Sequence, residues 1–309
     1  CLVGSEMCIR DSYHQHDAAD IEVFKAMFDK GMIYRGHKPV HWCKHCHTAL
    51  AEAEIEYSDE TSPSIFVRFE MTSKPAGLEN FDGPVDFIIW TTTPWTIPSD
   101  QAVSLKPGAA YVAVEHDGRA EVMLEDLAPK CCEEFGWEYT PVVVDGKPYV
   151  VPAETFHHIH YKQPIFDGVE GVALLADYVG VDDGTGIVHN SPGHGVDDYF
   201  ACLKEGITDI CMPVDDDGKF YTGEEFGTGG PFSGMDTDEA NPHIIEFLRE
   251  RGTLVLEKKI AHSYPHCWRC KHPVLFRATD QWFVSMDKTG LREQAGNCLL
   301  YTSDAADEL

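Results

Sequence analysis

Two pairs of cysteines, Cys43-Lys-His-Cys46 and Cys267-Trp-Arg-Cys270, lie far apart along the chain, each in a turn-like setting. Two C-x-x-C knuckles can bring four thiolates to the corners of a tetrahedron, which is what a structural Zn2+ site requires. His41, His45, His47 and His266 lie close by in sequence, so a mixed Cys/His ligand set is also open. A closed four-ligand site leaves no free coordination position, so its expected role is to tie two distant segments together. The other cysteines are unpaired by spacing: Cys131, Cys132, Cys202 and Cys211 are scattered, and Cys1, Cys8 and Cys298 fall in terminal segments of unusual composition.

A second cluster is Trp90-Thr91-Thr92-Thr93-Pro94-Trp95-Thr96, which follows an apolar strand. Pro94 must end that strand or sit at an edge, and three threonines at a strand end put hydroxyls on both faces. Ordinary β-propensity also accounts for threonines here. The third cluster is Gly184-Thr185-Gly186-Ile187-Val188-His189, then Ser191-Pro192-Gly193-His194-Gly195 and Asp197-Asp198-Tyr199. It lacks the Lys-Ser/Thr of a phosphate loop. His189 ends a strand, and both aspartates fall at a helix start, where carboxylates are favoured. Capping is the simpler role for Asp197, and a satisfied polar pair is the plain alternative for His189 and Asp198. Ser191 has no nucleophile-elbow context, and no cysteine has a convincing base beside it.

The elements that must position these residues are short. Ile21, Phe24, Met27 and Phe28 mark one face of a helix stopped at Gly31. Strands are expected over 65–70, 85–90, 111–115, 172–176 and 186–189, and helices over 125–136, 197–204 and 238–251, the last stopped at Gly252. The pattern predicts a mixed α/β domain built around a closed or strongly curved sheet. Residues 1–12 and 298–309 share no period with their neighbours. They read as adapter-derived peptides, the alternative being natural flexible termini.

The formal charge of −28 argues against broad electrostatic binding of nucleic acid. Any RNA contact must be local, such as one terminus entering a pocket. No apolar run reaches membrane-spanning length, so a cytoplasmic location without membrane contact is expected.

The strings PVHWCKHCHTALAEAEIEY, WTTTPWTIPSD, GTGIVHNSPGHGVDDY, PVDDDGKF and HSYPHCWRCKHPVLFRATDQWFVSMD together resemble isoleucyl-tRNA synthetases, in that family's order, between Tyr13 and about Ala295. Valyl- and leucyl-tRNA synthetases share the W-T-T-T-P and G-T-G-x-V elements and are the alternative relatives; His189 with Gly193-His194-Gly195 and Asp197-Asp198-Tyr199 is the discriminating feature. The resemblance implies a β-barrel-like editing domain at 63–258, inserted into a Rossmann-like catalytic core. Residues 13–62 would be a core edge with the first zinc knuckle, and 259–297 the second knuckle and return to the core. Residues 1–12 and 298–309 would be non-native tails.

By the same resemblance, the activity is hydrolysis of valine wrongly esterified to tRNA(Ile). Asp198 would bind the α-ammonium and His189 would line the side-chain pocket. Thr91, Thr92 and Thr93 would contact the terminal adenosine and position the water. Trp95, Thr96, Asp100 and His194 would complete the substrate surface, and Cys43, Cys46, Cys267 and Cys270 would hold structural Zn2+. Asp100 departs from the family's usual asparagine, and a carboxylate donates a hydrogen bond only when protonated. That substitution motivates an alternative, a zinc-organised tRNA-binding module with a decayed editing site. The H-I-G-H and K-M-S-K-S signatures are absent from this sequence, so ATP and Mg2+ belong to a full-length enzyme. Expected partners are the tRNA(Ile) acceptor end, mischarged valine and the remaining synthetase domains, around a monomer.

Overall fold

The computed structural model describes residues 14–306 apart from Lys288. The chain divides into two compact units, one of Cys1–His37 with Thr279–Leu309 and one of Lys38–Ala278. The suspected tail 1–12 lies outside the described residues. At the other end a helix runs on through residue 298.

The first unit holds α1 (His14–Asp29), the start of β1 (Ile33–Cys43), the end of β15 (Leu275–Val284) and α5 (Leu291–Ala306). Gly31 closes α1 as expected: its φ is 68°, and the Met32 N–H donates to Met27 O at 3.0 Å. The apolar stripe of α1 is mostly solvent-facing, with Ile21, Phe24 and Phe28 all exposed. Phe24 meets Trp282 edge-on at 5.9 Å, and Arg35 pairs with Asp280 at 2.6 Å.

The second unit begins with a hairpin of β1 and β2 (Thr48–Leu50), in register from His41↔Leu50 to Cys43↔Thr48. Then come β3 (Ile55–Glu70), β4 (Val85–Thr91), β5 (Ala102–Leu105), β6 (Ala110–His116), β7 (Arg119–Leu124), α2 (Ala128–Phe135) and the short pair β8 (Val143–Val144) and β9 (Lys147–Pro148). After β10 (Val150–Pro152) follow β11 (His160–Lys162), β12 (Glu170–Leu175), β13 (Ile187–Asn190), α3 (Val196–Lys204), α4 (Thr237–Glu250) and β14 (Leu254–Cys267).

Strands β10-β6-β7-β4-β3-β14 form one sheet, and β11-β12-β5-β13 another. Mixed α/β architecture is what the sequence predicts, but the sheet is not a closed barrel. Two open sheets face a common core and are stitched at two places. Met71 bridges Tyr161 on one side, and the Leu124 N–H donates to Thr185 O at 2.8 Å on the other. The core between them includes Phe69, Phe87, Ile89, Tyr111, Val122, Phe156 and Tyr161.

The longest pairing joins β3 to β14, from Ile55↔Cys267 to Val67↔Leu254. Its lower half is a two-stranded arm and its upper half is the edge of the larger sheet. Among the described residues no helix is long and apolar enough to cross a membrane.

Candidate active site and metal centre

The end of β4 and the start of α3 converge on a cavity of about 280 Å³, lined by Trp90, Thr91, Thr92, Thr93, Thr96, Val188, His189, Ser191, His194 and Asp198. The threonine wall is shaped by its own hydrogen bonds. Thr91 Oγ1 accepts from the Thr93 N–H at 3.1 Å, turning the chain off β4 into a 3-10 turn over Pro94–Ser99. Pro94 takes the first position of that turn, where its missing N–H costs nothing.

Glycines explain the opposite wall. Gly184 and Gly186 have φ of 69° and 72°, and a Cβ on them would lie 2.6 Å from the Trp90 ring and 2.4 Å from Leu124 Cβ. The G-T-G element is thus a packing device that delivers His189 at the end of β13.

Asp198 does not project freely from α3. Its Oδ2 curls back over Gly195 to accept the Ser191 N–H at 2.9 Å, and Oδ1 accepts the Tyr178 hydroxyl at 3.3 Å. A Cβ at Gly195 would stand 2.6 Å from that Oδ2. Burial pushes the Asp198 carboxyl up to about 6, against the pull of His189 and of the Ser191 and Tyr178 hydrogen bonds. It is therefore mostly ionised at neutral pH. Asp197, by contrast, is exposed in the first turn and makes no side-chain cap, so helix capping by hydrogen bond is not its role.

His189 is held from both sides. The Thr96 hydroxyl donates to Thr93 O at 2.8 Å, which leaves Thr96 Oγ1 to accept from His189 Nε2 at 3.2 Å. His189 Nδ1 then faces Asp100 Oδ1 at 3.4 Å. Asp100 is buried, and its other oxygen accepts the Tyr161 hydroxyl. Burial raises its carboxyl above the usual range, opposed by His189 and Tyr161. The expectation that Asp100 forms part of the substrate surface is therefore corrected: it lies behind His189, outside the cavity lining. Trp95 is also displaced from the expected surface. It lines a neighbouring cavity with Lys44, Ser62, Asn241 and Tyr264, which Thr92 and Thr93 share, and its ring meets His194 at 4.8 Å.

His194 Nδ1 donates to Phe276 O at 2.9 Å, leaving Nε2 buried without a hydrogen-bond partner. Burial brings its pKa down to about 4, so the ring is neutral at pH 7 and Nε2 is an acceptor. Ser191 spends its hydroxyl on Thr96 O at 2.7 Å. Burial pushes the thiols of Cys131, Cys202 and Cys211 up to about 12 and that of Cys132 to about 11. None is set up as a nucleophile.

At the base of the β3/β14 arm, the sulfurs of Cys43, Cys46, Cys267 and Cys270 lie within 4.8 Å of one another. Cys43 Sγ and Cys270 Sγ are 3.4 Å apart. A tetrahedral ion with bonds of about 2.3 Å needs sulfurs roughly 3.8 Å apart, so the set fits a metal ion. The residues that follow the two knuckles, His47 and Lys271, adopt φ of 50° and 62°, matching left-handed turns. Burial would raise the Cys267 thiol, but the N–H groups of Cys270 and Arg269 aimed at its sulfur bring it down to about 7. The mixed Cys/His alternative is not realised. His266 bonds Ser58 and Glu60, His47 pairs with Asp217, and His41 and His45 pack on Phe276 and His272.

The family model for class I tRNA synthetases (I, L, M and V) matches residues 11–302. The chain belongs to that family. It is 45% identical over 291 residues to the isoleucine–tRNA ligase of Nitratidesulfovibrio vulgaris (strain Miyazaki F), covering 94% of this chain and 29% of that ligase. The ligases of Syntrophotalea carbinolica (43% identity, 91% of this chain, 29% of the ligase) and Fervidobacterium pennivorans (44%, 88%, 28%) are similarly related. The chain thus spans less than a third of the length of these relatives. Among solved structures, the GlLeuRS-CP1 crystal structure aligns with 63% of the chain and 99% of its own length, at 14% identity and a TM-score of 0.48. The P. falciparum cytosolic leucyl-tRNA synthetase editing domain aligns with 63% and 98%, at 11% identity and a TM-score of 0.46.

In this class I synthetase chain, sequence reasoning missed Tyr161 and Tyr178 and saw Ser191 only as a rejected nucleophile. The two tyrosines sit on β11 and in the loop after β12, where nothing local marks them. Only the fold brings them to Asp100 and Asp198.

Proposed function

We propose that this chain is the proofreading part of an isoleucine–tRNA ligase and hydrolyses Val-tRNA(Ile). The observation that carries the reading is the pairing, across one cavity, of a fixed carboxylate with a hydroxyl-rich strand end. Asp198 is anchored by Ser191 and Tyr178 with its charge retained at neutral pH. Such a group suits the α-ammonium of an esterified amino acid. The terminal adenosine would lie along Thr91, Thr92 and Thr93, with the amino-acid side chain toward His189.

An aminoacyl ester is already activated, so orientation and a placed water suffice without a covalent nucleophile. Water adds to the ester carbonyl, the C–O bond to the ribose breaks, and the ribose oxygen leaves with a proton. The products are valine and free tRNA(Ile). The need for a second site is physical: one methylene is worth only about 1–3 kcal/mol in a binding pocket, a limit for which isoleucyl-tRNA synthetase is itself the standard illustration.

Cys43, Cys46, Cys267 and Cys270 would hold Zn2+ as a structural clasp. ATP and Mg2+ would serve the activation step in the longer ligase. The domain limits at 63 and 258, the Rossmann-like edges on either side and a cytoplasmic setting belong to this same reading. The rival binding module drew its motive from Asp100. With that carboxylate buried behind His189 and bonded to Tyr161, the substitution alters the support of the pocket and leaves its lining intact. Purified chain incubated with Val-tRNA(Ile) and Ile-tRNA(Ile) tests the proposal. Valine-selective release supports it, and no release from a folded, metal-loaded chain supports the binding module.

A further inference from the structure

Away from the cavity and the cysteine centre, His157, His158 and Glu205 place one ligand atom each within 4.8 Å of one another. The histidines lie in the turn before β11, and Glu205 is the residue that ends α3. Both rings address the same carboxylate oxygen. His158 Nε2 is 3.2 Å from Glu205 Oε2, and His157 Nε2 is 3.6 Å from it. From this arrangement we infer a second metal site, taking a divalent transition ion of the Zn2+ class on His157, His158 and Glu205.

Three features support it. A tetrahedral ion with bonds of about 2.0–2.2 Å to nitrogen and oxygen sets its ligands roughly 3.3–3.6 Å apart, close to the 3.2 and 3.6 Å that separate the two histidine nitrogens from Glu205 Oε2. His157 Nε2 is buried and has no hydrogen-bond partner, so the ion would satisfy an atom that the protein leaves unmatched. The frame is also fixed. His158 holds a left-handed backbone at φ 65°, with its N–H donated to Ala173 O at 2.8 Å, and the two rings stack at 3.8 Å. The Glu205 N–H caps the last carbonyls of α3. A cation there sits at the helix C-terminus, where the macrodipole favours positive charge.

Three protein ligands leave one position for water, so this site exchanges its ion faster than the closed cysteine centre. Its consequence is mechanical. The ion would staple the far end of α3 to the turn before β11, while the first turn of the same helix carries Asp198.

The test is zinc stoichiometry on the whole chain. Chain equilibrated with micromolar zinc is compared with His157→Gln/His158→Asn and with Glu205→Gln. Asn is chosen at 158 because it tolerates the left-handed backbone. Each variant is first shown to keep the parent's circular dichroism. The expected result is one zinc fewer per chain in both variants, with a rise in Tm on zinc addition that only the parent shows beyond filling of the cysteine centre. Equal stoichiometry in parent and folded variants would mean that the cluster is an ion pair only, and would overturn the site. Since the count is read without tRNA, it stands or falls apart from the editing reading.

Discussion

Removing the charge of Asp198 while keeping its shape separates binding from folding. In Asp198→Asn the amide oxygen can still accept the Ser191 N–H, so stability should change little. The ammonium contact loses its charge, worth about 1.5–3 kcal/mol for a charge-assisted hydrogen bond. Steady-state deacylation of Val-tRNA(Ile) should fall roughly 10- to 100-fold, and an undiminished rate would remove Asp198 from the mechanism. Asp198→Ala is a poorer test, because it also strands the Ser191 N–H. The same residue sets a pH dependence. Its carboxyl titrates near 6, so editing should decline as pH falls through that value, while His194, near 4, stays neutral throughout that window. Stability moves the other way. A raised carboxyl pKa penalises the folded state when ionised, so the penalty is present above about 6 and is relieved as pH falls toward the unfolded value. Asp100 behaves differently. Asp100→Ala would leave the Tyr161 hydroxyl and His189 Nδ1 facing a void, and thermal unfolding should drop by roughly 4–8 °C. Asp100→Asn, which can serve both partners, should keep stability and editing.

At the scale of elements, Gly195 couples the 190–195 turn to α3. Its φ of −147° suits any residue, so an alanine there introduces no backbone strain. The added Cβ instead meets the Asp198 carboxylate. Gly195→Ala should therefore reproduce the editing loss of Asp198→Asn with a normal circular dichroism spectrum, and a fully active variant would show that the carboxylate can move without consequence. Much of this scaffold was legible beforehand. Gly31 and Gly252 stop their helices as read, and the apolar runs 65–70, 85–90 and 111–115 lie in β3, β4 and β6. The threonine wall and the His189 and Asp198 elements were visible because local turn chemistry places them. The β3/β14 arm was not legible. One face of β14 is half-buried and the other exposed. The half-buried face interleaves Lys258 and His262 with Leu256, Ile260 and Tyr264, so LEKKIAHSYPH lacks the unbroken apolar alternation by which strands are recognised. Tyr161 and Tyr178 were hidden for a related reason, since their contacts are made across sheets and loops.

For the molecule as a whole, the cysteine centre sets how the arm is founded. Cys267 pairs with Ile55 at the foot of β14 and β3, and Ile65, ten residues up the same strand, pairs with Thr91 at the pocket. If these cysteines hold the proposed Zn2+, stripping it with a strong chelator, or making Cys267→Ser, should lower Tm by several degrees and loosen the foot of the arm. The pocket depends on it only through β3. Hydrogen exchange should show the loss concentrated in 43–60 and 262–272, and uniform deprotection would mean that the centre holds up the whole unit. The net charge of −28 bears on the same scale. A chain this acidic offers RNA little general attraction, so the recognition proposed above would be confined to the acceptor terminus and the pocket. The measurement that addresses the central claim most directly is therefore hydrolysis of Val-tRNA(Ile) against Ile-tRNA(Ile) by the purified, zinc-loaded chain. Selective release of valine, lost in Asp198→Asn, is the predicted result. Equal or absent release of both amino acids from a folded chain would contradict it.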